Sequence, residues 1–141
     1  MRRLLLRAHV WLLAGVLPLL DKLPLKRLLP LLTPRRPWRL YQPLSPEEIV
    51  AAARRRLRRP LHMRRRSCLR LGLTTWYFLR LAGQPAEIHF GVFPRQTPDQ
   101  ARMHGHCWVL LHGRCLTDPP GEPVAELFVW GANGSAAADN P

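Results

Sequence analysis

At 141 residues the chain has the length of one domain with a modest core, which leaves no room for a second folded domain. Its 22 Lys and Arg against 9 Asp and Glu give a net charge of +13, which points to an acidic partner: nucleic acid, an anionic membrane surface or an acidic peptide. Three irregularly spaced cysteines exclude a regular disulfide framework and fit a reducing, cytoplasmic setting with a free thiol.

The first 33 residues are Leu-rich, and Pro18, Pro24 and Pro30 are expected to cut them into helices of a few turns. Arg7 and His9 interrupt the apolar start, and the run from Val10 to Leu20 is shorter than the ~20 residues of a membrane span. A packed or membrane-surface helix is expected there, with no cleavable signal. Leu23, Leu28, Leu29, Leu31 and Leu32, flanked by Lys22, Lys26 and Arg27, fit core packing first and peripheral membrane contact second. Residues 33–43 form a Pro/Arg-rich connector.

Ser45-Pro46-Glu47-Glu48 is a helix start: Ser45 as N-cap, Pro46 at the first helical position and Glu48 closing a capping box. The helix is expected to run to about Arg59, where Pro60 ends it, with Ile49, Val50, Ala53 and Leu57 inward. Arg54, Arg55, Arg56, Arg58, Arg59, Arg64, Arg65 and Arg66 lie on its other face and in the loop after it. So dense a run is a solvated face or a dock for an acidic ligand.

From Cys68 to Leu81 the residues Leu69, Leu73, Trp76, Tyr77, Leu79 and Leu81 recur at helical spacing, and Gly83 stands at the left-handed C-cap. Glu87 to Phe93 alternates as a strand. Further strands are expected over His106–Leu111, Arg114–Asp118 and Val124–Trp130, followed by a small, polar, disordered tail over 131–141.

Cys68 opens a helix, where unpaired N–H groups and the helix dipole favour a thiolate, and Arg64, Arg65 and Arg66 stand just upstream. Against this stands the commoner fate of a lone cysteine, a small buried core residue. His106 is a strand histidine that reads equally as structural. A three-residue Leu111-His112-Gly113 loop places His106 opposite Asp118, close enough for the carboxylate to fix the imidazole tautomer. A two-residue His112-Gly113 turn shifts the register by one and points them apart.

Cys68-Leu69 at a helix start, a long apolar helix ending Leu81-Ala82-Gly83, the strand Ile88-His89-Phe90-Gly91-Val92 and the run His106-Cys107-Trp108-Val109 together resemble the lasso-peptide leader peptidases of the transglutaminase-like superfamily. The resemblance covers roughly residues 15–130. It implies an α+β fold: N-terminal helices (1–44) packed on a transglutaminase-like, papain-like cysteine peptidase core (45–130) with a small antiparallel sheet. It also implies Cys68 as nucleophile, His106 as general base and Asp118 as the third member, with no cofactor and no metal. Cys107 stands where alanine is common, and Leu110 where a glutamate often follows Trp-Val. The substrate implied is a ribosomally made precursor peptide whose leader is removed. A separate leader-recognition protein and an asparagine-synthetase-like cyclase are the implied partners. Arg54, Arg55, Arg58, Arg64, Arg65, Arg66 and Trp108 are the expected docking residues.

Two other classes compete. A zinc site from Cys68, His104, His106, Cys107 and Cys115 lacks the paired close spacings of structural zinc. A non-catalytic basic module for nucleic acid or anionic membrane has the arginine run but no interleaved aromatics and no helix-turn-helix or zinc-finger pattern, so nucleic acid is not an expected partner.

Overall fold

The computed structural model describes residues 1–58, 67–93, 104–120, 124–131 and 136–137. Among the described residues four helices, α1 (Arg2–Leu20), α2 (Leu25–Leu32), α3 (Pro46–Leu57) and α4 (Ser67–Leu81), precede five strands. These are β1 (Glu87–Phe93), β2 (His104–Leu111), β3 (Arg114–Cys115), β4 (Ala125–Trp130) and β5 (Ala136–Ala137). They form one antiparallel sheet in the order β3-β2-β1-β4-β5. The fold is the expected α+β arrangement.

Helix α1 is longer than its proline led us to expect, while α2, opening after Pro24, is the short helix expected. Pro18 lies in the last turn of α1, where it removes the bond to the Ala14 carbonyl but leaves only two residues of helix beyond it. Pro30 likewise falls in the last turn of α2, where Thr33 Oγ1 donates to the carbonyl of Leu29 at 2.7 Å. At 19 residues α1 is long and apolar enough to cross a membrane by length and composition. One face, Leu6, Val10, Ala14 and Leu17, is nevertheless buried, and α1 packs on α3 and α4. Its outer face exposes Leu4, Leu12, Val16 and Leu19.

Both bonds of the capping box of α3 form: Glu48 N–H to Ser45 Oγ, and Ser45 N–H to the Glu48 carboxylate. Helix α3 ends at Leu57, with Arg58 as C-cap, and buries Ile49, Ala53 and Leu57. Arg56, expected in the solvated arginine face, is buried and lies 3.7 Å over the Trp11 ring of α1.

Helix α4 is the centre of the core. Leu73, Trp76, Phe78 and Leu79 have no exposed surface, and the Trp76 indole N–H donates to the carbonyl of Ala86. Gly83 takes the left-handed conformation (φ 80°), and Gln84 N–H reaches back to Leu79 O, as a C-terminal glycine cap requires.

Alternation along β1 and β2 turns Ile88, Phe90, Cys107, Val109 and Leu111 into the core with α4. His89, His106 and Trp108 take the other face. A bulge between Phe90 and Gly91 shifts the β1–β4 register. A Cβ on Gly91 would meet Ala125 O and Val124 Cγ2 at 2.9 Å and Trp108 at 3.1 Å, so glycine admits the neighbouring strand and the indole together.

The β2–β3 hairpin has the two-residue turn. Leu111 pairs with Arg114 and Leu110 with Cys115, while His112 (φ 49°) and Gly113 (φ 76°) are both left-handed, as a type I′ turn demands. Strand β3 is shorter than expected, because Thr117 Oγ1 rather than a backbone carbonyl accepts from Val109 N–H at 3.0 Å. The prolines Pro119 and Pro120 then carry no donor. In the segment expected to be unstructured, Ala136–Ala137 pair with Phe128 and Val129. Replacing Gly113 with Ala should cost about 1–2 kcal/mol of stability, read as a lower urea midpoint at unchanged slope. A melt matching the parent would mean that the turn relaxes to another type.

Candidate functional site

Cys68 is the second residue of α4, within the first turn, whose N–H groups have no intrahelical acceptor. Two residues of β2 reach it. The Cys107 thiol donates to the Cys68 carbonyl at 3.1 Å. The thiol of Cys68 is itself held low, to about 5, first by the Cys107 thiol, whose one proton can turn from the Cys68 carbonyl to the Cys68 sulfur, and then by hydrogen bonding and charge interaction with the His106 imidazole, against a desolvation that raises it. The cost falls on the partner: the hydrogen bond to Cys68, burial and the proximity of the Cys68 charge push the Cys107 thiol far up, so it stays protonated and remains a donor.

His106 is fixed from two sides. Its Nε2 lies 3.0 Å from the main-chain carbonyl of Asp118. A carbonyl only accepts, so Nε2 carries the proton and Nδ1 is the nitrogen left free to exchange one. The ring also stacks on Trp108 (centroids 5.9 Å apart, 21° between planes), and Trp108 stacks in turn on His89 (5.7 Å, 22°). His89 Nδ1 is 2.7 Å from the Glu126 carboxylate.

Cys68, His106 and Asp118 are therefore together, but not by the register that would set two side chains face to face. Because the turn has two residues, the main-chain carbonyl of Asp118, not its carboxylate, orients the imidazole. The carboxylate instead forms an ion pair with Arg54 at 3.3 Å.

The expected docking residues divide. Arg54 and Arg58 line a hollow beside Cys68 with Ser67, Leu71 and Asp118. Arg55 lines a different one with Arg3, Arg7 and Glu48. Arg64, Arg65 and Arg66 lie outside the described residues. Trp108 is 6% exposed and is occupied by its two histidines, so it supports the site from beneath rather than offering a docking surface. The residues whose part in the site the sequence does not reveal are Cys107, which it offers as a motif position, a departure from alanine and a candidate zinc ligand but not as a partner of the Cys68 thiol, and the pair His89 and Glu126. Alternation in β1 and β4 was their only signal.

Among the described residues no group of three or more His, Cys, Asp or Glu side chains is placed to hold a metal ion. The Cys115 thiol donates to Thr117 O at 3.2 Å. What the site offers is a thiolate at a helix N-terminus next to an oriented imidazole, the equipment of acyl transfer through a thioester.

Because the low Cys68 value rests first on Cys107, the thiolate should be present above about pH 5 and lost below it. Iodoacetamide alkylation of Cys68 should therefore rise through that pH and stay level to neutrality. In Cys107→Ala the midpoint should move up, toward that of an ordinary thiol. An unmoved midpoint would show that Cys107 contributes nothing.

The family model of the transglutaminase-like superfamily matches residues 23–128, a span holding α2 to α4, β1 to β3 and most of β4. Searches of curated proteins and of solved structures return no significant match.

Proposed function

The chain belongs to the transglutaminase-like superfamily, whose members typically have cysteine peptidase or transglutaminase activity, and we propose that this one is a cysteine endopeptidase that removes the leader from a ribosomally made lasso-type precursor peptide. The observation that carries the peptidase reading is the low Cys68 thiol at the start of α4 beside a histidine whose tautomer is fixed.

In this reading the Cys68 thiolate attacks the carbonyl at the leader–core junction. The backbone N–H groups opening α4 stabilise the oxyanion that forms. As the intermediate collapses, the C–N bond breaks and His106 Nδ1–H protonates the departing amine, leaving a thioester on Cys68. Neutral His106 then takes a proton from water. The hydroxide adds to the thioester carbonyl, and the carboxylic acid leaves as the Cys68 thiolate is restored. The Asp118 carbonyl holds Nε2–H throughout and needs no ionised side chain to do so.

The lasso assignment rests on the resemblance of Cys68-Leu69, Ile88-His89-Phe90-Gly91-Val92 and His106-Cys107-Trp108-Val109. Arg54 and Arg58, beside Cys68, give an acidic leader or a separate leader-binding protein a surface of opposite charge. The action belongs in the cytoplasm, upstream of a cyclase of the asparagine-synthetase type. The apolar outer face of α1 supports peripheral contact with a membrane there.

Cleavage of the precursor in the presence of its partner proteins tests this. Cys68→Ala should abolish cleavage, and His106→Ala should slow it by about 10²–10⁴-fold. Retained cleavage in either variant removes the assignment. Asp118→Ala keeps the carbonyl and loses an exposed ion pair, so its rate should stay within about fivefold of the parent.

A further inference from the structure

Cys68 and His106 both line a cavity of about 490 Å³ that neither the thiol nor the imidazole fills. One wall is the connection from α1 to α2 with Leu23 and Leu28. The opposite wall is the sheet with Phe90, Val92 and Leu127, and Leu69 of α4 closes the base beside the sulfur. The cavity opens outward at Leu127 and Leu23, which are 52% and 38% exposed. Its one carboxylate among the described residues, Asp21, is already engaged by Arg70 at 3.2 Å, so apart from the reacting Cys68 and His106 the described lining is apolar.

We infer that this cavity is the subsite that selects the substrate: it takes a bulky aliphatic or aromatic side chain from the residue on the acyl side of the bond opened at Cys68. The inference rests on the peptidase reading and adds the substrate class to it. The volume lies in the range of ligand pockets, and an apolar side chain leaving water for this lining is favoured in proportion to the surface it buries. A Lys, Asp or Glu side chain would lose its hydration there and find no partner. The acyl segment is the one that stays tethered to Cys68 through the thioester, so a cavity continuous with the sulfur serves it in both half-reactions.

Gly105 supplies the means to close the cavity. It lies on β2 two residues before Cys107, on the strand's same side, and among the described residues a Cβ built on it has only Gly91 O within 4 Å, at 3.9 Å. Among the described residues, a larger side chain there has room to extend into the cavity without striking backbone.

The test uses dipeptidyl chloromethyl ketones ending in Phe, Leu, Gly, Lys or Asp. The Cys68 sulfur bonds to the methylene carbon of the probe as chloride leaves. Labelling is followed by intact mass, and each rate is divided by the same protein's iodoacetamide rate. Phe and Leu probes should label at least about tenfold faster than Gly, Lys and Asp probes, and Gly105→Leu should bring all five within about threefold. Leu127→Asp, at the exposed rim, should weaken the apolar preference by placing a charge at the mouth.

Equal labelling by all probes, faster labelling by charged ones, or an apolar preference that survives both variants would overturn the inference while leaving Cys68 as a nucleophile. A Cys68 that reacts with neither iodoacetamide nor any probe would instead bring down the peptidase reading, and the subsite with it.

Discussion

The contact on which the site depends is the one between the first two turns of α4 and β2. A Cβ on Gly72 would stand 2.7 Å from Cys107 Sγ, so helix and strand approach as closely as they do because residue 72 has no side chain. That approach brings Cys107 under the start of the helix, where its thiol meets the Cys68 carbonyl and supports the Cys68 thiolate. It also sets the height at which His106, one residue earlier on β2, passes the helix end. Interiors are close-packed, so a side chain at position 72 would displace Cys107 rather than be absorbed, and the thiol and imidazole would separate together.

The opposite face of the sheet holds the imidazole in its plane. Glu126, His89, Trp108 and His106 form a column across β4, β1 and β2, with one hydrogen bond and two stacking contacts. Its members are spaced by the pleat: His89 and Trp108 are register partners, and so are Gly91 and His106. Gly91 and the adjacent bulge let the indole lie flat beside them. The His106 ring is thus set by sheet packing on its face and by the Asp118 carbonyl at its edge. A main-chain carbonyl cannot titrate, so this orientation does not depend on the ionisation of an acid.

Periodicity made the central elements legible. The i, i+3, i+4 recurrence from Leu69 to Leu81, the Gly83 cap, the Ser45 capping box and the alternation of β1 all correspond to the structure, because each is governed by residues near one another in sequence. What failed depended on position within an element. The sequence presents Pro18 and Pro30 as breaks, yet each falls in a last turn with only two residues of helix after it. The relation of Asp118 to His106 hung on a single residue of loop length, which His112 decided by adopting a left-handed conformation uncommon for a side-chain-bearing residue. Cys68 and His106 could be singled out from the sequence. Cys107 as a hydrogen-bond donor could not, since nothing local shows that a strand residue lies beneath a helix terminus.

The surroundings of Cys68 are unlike on its two sides. Toward β1 and β4 lies the apolar cavity, with Asp21 held by Arg70. Toward α3 lies the hollow with Arg54, Arg58 and Asp118. A peptide crossing the sulfur would pass from a region where burial of surface sets the affinity to one where charge does. The two respond differently to salt: screening weakens attraction between exposed charges and leaves apolar burial in place. Arg54 is the residue common to the charged hollow and to the segment that orients His106, since it binds the carboxylate of the residue whose carbonyl meets Nε2. An acidic group drawn to Arg54 would take the place of the Asp118 carboxylate there, while the Asp118 carbonyl, which needs no ion pair, keeps its bond to His106 Nε2.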